Sequence, residues 1–80
     1  MKTTHAEDAV LSYVVTDPTK GIPYPMRRAG MPDFDCSPFE TCAAIDNLRR
    51  RGLLKKNGPF YNLTDAGTLL MQPVIDQLAA

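Results

Sequence analysis

Five of the seven prolines fall in one short stretch: Pro18, Pro23, Pro25, Pro32 and Pro38. Each fixes its own φ, lacks an N–H and pushes the residue before it toward an extended backbone. The stretch therefore holds no long helix and offers few donors to a strand ladder. Long helices must lie before Asp17 or after Ser37. One short helix fits inside, over residues 25–29, with Pro25 first, then Met26-Arg27-Arg28-Ala29 and Gly30 as its stop. The following Met31-Pro32-Asp33-Phe34-Asp35-Cys36 makes a loop or turn.

The flanks carry the helices. Thr4 with Glu7 three residues on forms a capping box, and Ala6, Ala9, Val10, Tyr13 and Val14 recur at helical spacing. Asp17-Pro18 closes that pattern, so the first helix runs over about residues 4–16. Ser37-Pro38-Phe39-Glu40 is a stronger start, with an N-cap serine, proline first and glutamate third. From it a helix runs over about 38–51 to Gly52. Cys42, Ile45, Leu48 and the stem of Arg49 fall on one face. Glu40, Ala43, Ala44, Asn47, Arg50 and Arg51 fall on the other. Arginines 49, 50 and 51 suit the negative end of the helix dipole.

After Gly52 the period changes. Leu53-Leu54-Lys55-Lys56 and Phe60-Tyr61-Asn62-Leu63 flank Asn57-Gly58, which predicts a hairpin over about 53–63 turning at Asn-Gly, its ladder weakened by Pro59. Thr64 caps a last helix over about 65–79 whose apolar stripe is Ala66, Leu69, Leu70, Val74 and Leu78. Pro73 breaks or kinks it near 71–73.

Composition bounds what such a chain does. Eighty residues, 44% of them apolar, make a single small domain over 1–80, mainly α with a small β-hairpin. No apolar run is long enough for a bilayer span, and Met1–Asp8 has no signal-peptide character, which predicts a cytoplasmic protein. Cys36 and Cys42 fit no disulfide scaffold or metal pattern and read as small apolar fillers; Cys36, just ahead of a helix N-terminus, is the one candidate redox sensor. There is no nucleophile–base pair and no ligand cluster, so neither an enzyme nor a cofactor is implied. His5 reads as a surface residue of the first turn. Tyr24 and Phe34 read as packing over the capped helix, or, if exposed, as a partner patch.

The stretch Ala44-Ile45-Asp46-Asn47-Leu48-Arg49-Arg50-Arg51-Gly52-Leu53-Leu54, with Tyr61-Asn62-Leu63-Thr64-Asp65-Ala66-Gly67, resembles a winged helix-turn-helix domain. That family shows a recognition helix closed by Gly-Leu and a further aliphatic residue, a short basic hairpin, and Tyr-x-Leu-Thr-x-x-Gly opening the next helix. The resemblance covers residues 38–70; residues 5–30 match in helix order only. Residues 31–37 make a longer link than the tight turn of a helix-turn-helix unit.

The resemblance implies a DNA-binding transcriptional regulator of a kind that fits bacteria or a bacteriophage. The helix over 38–51 would enter the major groove and the hairpin would lie along the backbone or minor groove. Charge supports this from the residues themselves. The nine positive and nine negative side chains are unevenly spread: residues 1–40 carry four and six, residues 41–80 five and three. Arg27, Arg28, Arg50, Arg51, Lys55 and Lys56 are the expected phosphate contacts, and Thr41, Ala44 and Asn47 the expected base readers. The last helix is the expected seam of a homodimer that sets two recognition helices on successive grooves. The rival reading is a protein-interaction module, an adaptor or inhibitor docking on a larger assembly, favoured by the zero net charge and by Glu40.

Overall fold

A computed structural model of the chain describes residues 2–16, 22–23 and 29–79. The described elements are α1 (His5–Thr16), β1 (Ile22–Pro23), a 3₁₀ turn (Pro32–Phe34), α2 (Pro38–Arg50), β2 (Leu54–Asn57), β3 (Phe60–Leu63), α3 (Asp65–Leu70) and α4 (Gln72–Ala79). The molecule is mainly helical with an antiparallel hairpin. No helix among the described residues is long and apolar enough to cross a membrane.

Three of these helices, α1, α2 and α3, start where a side chain satisfies free N–H groups. Thr4 Oγ1 accepts from the Glu7 N–H at 3.2 Å while Glu7 Oε1 accepts from the Thr4 N–H at 3.3 Å. Ser37 and Glu40 repeat the device on α2, both bonds at 3.2 Å. Thr64 Oγ1 accepts from the Gly67 N–H at 3.1 Å and caps α3.

The end of α2 sets the course of the chain beyond it. The Gly52 N–H reaches the Arg49 carbonyl at 3.0 Å and the Leu53 N–H reaches the Leu48 carbonyl at 2.9 Å. With Gly52 at φ +75°, this is a Schellman closure, and its apolar pair, Leu48 and Leu53, is buried. The hairpin therefore leaves the helix in a fixed direction. Its root is clamped again by Gly67: a Cβ there would lie 2.2 Å from the Leu53 carbonyl oxygen, so only glycine lets α3 pack so closely.

The hairpin turns one residue later than the Asn57-Gly58 signal predicts. Asn57 pairs with Phe60, so the two-residue loop is Gly58-Pro59, with Gly58 at φ +60°. Glycine first in a two-residue loop is the requirement of a type II′ turn. Pro59 thus sits in the turn and removes no ladder donor, contrary to the expected weakening.

The proline-rich stretch contributes a strand that the sequence does not announce. Ile22 pairs with Tyr61 and Pro23 with Phe60, giving a three-stranded sheet in the order β1-β3-β2. The strand is at the edge, where a missing N–H is tolerated. Of the expected short helix over 25–29, only Ala29, which is helical, belongs to the described residues; Gly30 follows at φ +80°. Met31 and Cys36 then exchange backbone bonds of 3.0 and 3.1 Å across the 3₁₀ turn, closing the link between the proline-rich stretch and α2 into a tight loop. His5 Nε2 donates to the Phe34 carbonyl at 2.7 Å and ties that loop to α1.

One apolar cluster holds these parts together, with Val10, Leu11 and Val14 from α1, Ile22 from β1, Ile45 and Leu48 from α2, and Tyr61 from β3. The final helix is broken at Met71, as Pro73 predicts. The break re-phases its face. Met71 is buried and Leu70, Val74 and Ile75 pack on the core, whereas Leu69 and Leu78 point outward. The single stripe expected through Ala66, Leu69, Leu70, Val74 and Leu78 is therefore split between two faces.

Candidate nucleic-acid interface

The Schellman closure places the last turn of α2 beside β2, and the two form an open groove of ≈ 480 Å³. Asp46, Arg49, Arg50, Leu54, Lys55 and Lys56 line it. Four cations from two elements thus meet at one junction. Lys55 and Lys56 are exposed on β2 behind the buried Leu54. The Arg49 guanidinium carbon lies 5.6 Å from the centre of the Tyr61 ring, a cation–π arrangement on a fully buried ring. That contact orients a head group whose stem alone the helical periodicity places on the apolar face. Asp46 sets one carboxylate among the cations, so the groove is basic without being uniformly so.

Arg51 does not join them. Its Nη1 donates to Glu7 Oε2 at 2.9 Å and to the Lys2 carbonyl at 3.2 Å. Glu7 is 2% exposed, so this guanidinium is the counter-charge of a buried carboxylate. The expectation of a phosphate contact at Arg51 is corrected accordingly: it is a seam between α1 and α2. Arg27 and Arg28 lie outside the described residues.

The expected base readers divide as well. Asn47 is exposed, but Thr41 and Ala44 are buried, at 0% and 2% exposure, and no base edge reaches them. The reason is the phase of α2. Its inward face is Thr41, Ala44, Ile45 and Leu48, turned by about one residue from the face centred on Cys42, Ile45 and Leu48. Thr41 tolerates burial because its hydroxyl donates to the Ser37 carbonyl at 3.0 Å, and Ala44 joins the apolar core as a single methyl. The outward ridge is consequently Phe39, Ala43, Asn47 and Arg50. Phe39 stands 85% exposed. Residue spacing alone holds this ridge, once Thr41 is counted as apolar.

Near the N-terminus of α2, burial pushes the Cys36 thiol above its ordinary value, with Glu40 and Asp35 adding in the same direction. Its Sγ donates to the Phe34 carbonyl at 3.4 Å. A buried thiol held toward its protonated form is the opposite of the activated thiolate that a redox sensor needs.

No protein-family model, curated protein or solved structure matches the chain. The functional reading therefore rests on the groove and the ridge.

Proposed function

We propose that the chain is a winged helix-turn-helix protein that binds duplex DNA through α2 and the β2–β3 hairpin, and acts as a transcriptional regulator. The observation that carries this reading is the meeting of Arg49, Arg50, Lys55 and Lys56 in one groove where helix and hairpin join. A cationic groove flanked by an exposed helix ridge matches a duplex, whose phosphates border a groove wide enough for a helix. The element order supports the fold assignment, with β1 adding to the hairpin as a third strand. Arg50, Lys55 and Lys56 hold phosphates, Arg49 joins them from its place over Tyr61, and Asn47 reads a base. Leu69 and Leu78, exposed on the C-terminal helices, are the surface offered to a second copy.

The rival, a module docking on a larger protein assembly, draws on Asp46 among the cations. One titration separates them. Fluorescence anisotropy of a labelled duplex at low salt gives micromolar binding or tighter, and Lys55→Glu with Lys56→Glu removes most of it. Four phosphate contacts predict a slope of log K against log salt of about −3.6. A duplex that fails to bind the folded chain at low salt transfers the case to the rival.

A further inference from the structure

We propose that the outward ridge of α2 reads thymine-bearing base pairs, with Phe39 and Ala43 against thymine methyl groups and Asn47 on a neighbouring adenine. The inference rests on the DNA-binding reading and names the chemistry of the sequence it selects. Phe39 is 85% exposed at the second position of the helix, in a molecule where Tyr61 of β3 is 1% exposed and central to the core. Residues 39, 43, 47 and 50 fall within about 80° of one another around a helix. An apolar ring, a methyl, a carboxamide and a guanidinium thus share one face, with the half-buried Asp46 carboxylate between Ala43 and Arg50, and that face runs into the basic groove that Asp46 and Arg50 both line. That continuity with the cations identifies the occupant of the ridge as the same polyanion.

The spacing fits the ligand. Four residues advance about 6 Å along the axis, so Phe39 to Asn47 spans about 12 Å. Base pairs are stacked about 3.4 Å apart, so the ridge covers three to four of them. In the major groove thymine alone among the bases of DNA presents a methyl group, which apolar side chains meet, and adenine presents the donor–acceptor pair that a carboxamide matches. Glu40, the carboxylate nearest to Phe39 along the chain, is held by its capping bond to the Ser37 N–H at 3.2 Å. The ridge therefore presents apolar and neutral groups to bases from Phe39, Ala43 and Asn47, and Arg50 to phosphate beside the half-buried Asp46.

The test uses the full chain. A binding site is selected from a randomised duplex pool, then prepared with thymine and with deoxyuridine, which lacks only the methyl. Wild type binds the deoxyuridine duplex about fourfold more weakly for each methyl read, the loss of one buried carbon. Phe39→Ala binds the thymine duplex more weakly by a similar factor and loses part of its sensitivity to the exchange; circular dichroism checks that this exposed position leaves the fold intact. Equal, salt-dependent binding of both duplexes by wild type overturns the thymine assignment and leaves the DNA reading standing, as does a selected site without thymine. Absence of any duplex binding at low salt overturns both.

Discussion

Arg50 and Arg51 are neighbours in the chain and opposites in the fold. Arg50 lines the open groove between α2 and β2, whereas Arg51 is committed to Glu7 at the seam between α1 and α2. The same contrast runs along the helix: Thr41 and Ala44 face inward and are buried, while Phe39, Ala43 and Asn47 face outward. A run of like charges is therefore not a patch. One residue of helix is a rotation of about 100°, enough to turn one guanidinium to solvent and the next to a buried carboxylate.

Three substitutions put this contrast to the test. The largest effect is expected at Gly67, whose added methyl meets the Leu53 carbonyl at the root of the hairpin. Gly67→Ala should cost about 3 kcal/mol, since backbone on both sides must move. Urea unfolding measures it, and a variant as stable as wild type would show that α3 does not hold the groove in place. Next comes Arg51→Ala. It leaves the Glu7 carboxylate buried without its partner, for which about 2 kcal/mol is expected, below the range for a fully buried pair because the Arg51 side chain is 38% exposed. An unchanged unfolding midpoint would make Arg51 a surface arginine like its neighbour and erase the contrast. The smallest stability change is expected for Arg50→Ala, within about 0.5 kcal/mol, as for other surface positions. Its loss should appear in duplex affinity instead.

What is legible in the sequence is local. The caps at Thr4, Ser37 and Thr64 each depend on residues three positions apart, and each forms. Gly52 and Pro73 end helices for reasons that reside in the backbone itself. The hairpin is visible, but its turn lies one residue further on because Gly58-Pro59 satisfies a two-residue loop as well as Asn57-Gly58 does. The illegible features join distant parts of the chain. Strand β1 exists because Ile22 and Pro23 meet Tyr61 and Phe60, and nothing near residue 22 announces a partner that far away. Glu7 reads locally as a cap; that it also holds Arg51, 44 positions away, is a product of packing. The phase of α2 differs by a residue from the face centred on Cys42, Ile45 and Leu48 because Thr41, polar by composition, goes inward with its hydroxyl on the Ser37 carbonyl. At the candidate site, Asn47, Arg50, Lys55 and Lys56 are therefore placed by sequence, whereas for Arg51, Thr41 and Ala44 the local pattern points to the wrong side of the helix.

The salt dependence of duplex binding, compared across wild type, Arg50→Ala and Arg51→Ala, reports which of the two arginines meets phosphate. Arg50→Ala should lower the magnitude of the slope by about 0.9, one phosphate contact, while Arg51→Ala leaves it as in wild type under conditions where the variant is folded. A slope reduced by Arg51→Ala and untouched by Arg50→Ala would place the nucleic acid on the α1 side and contradict the assignment of Arg50 to phosphate.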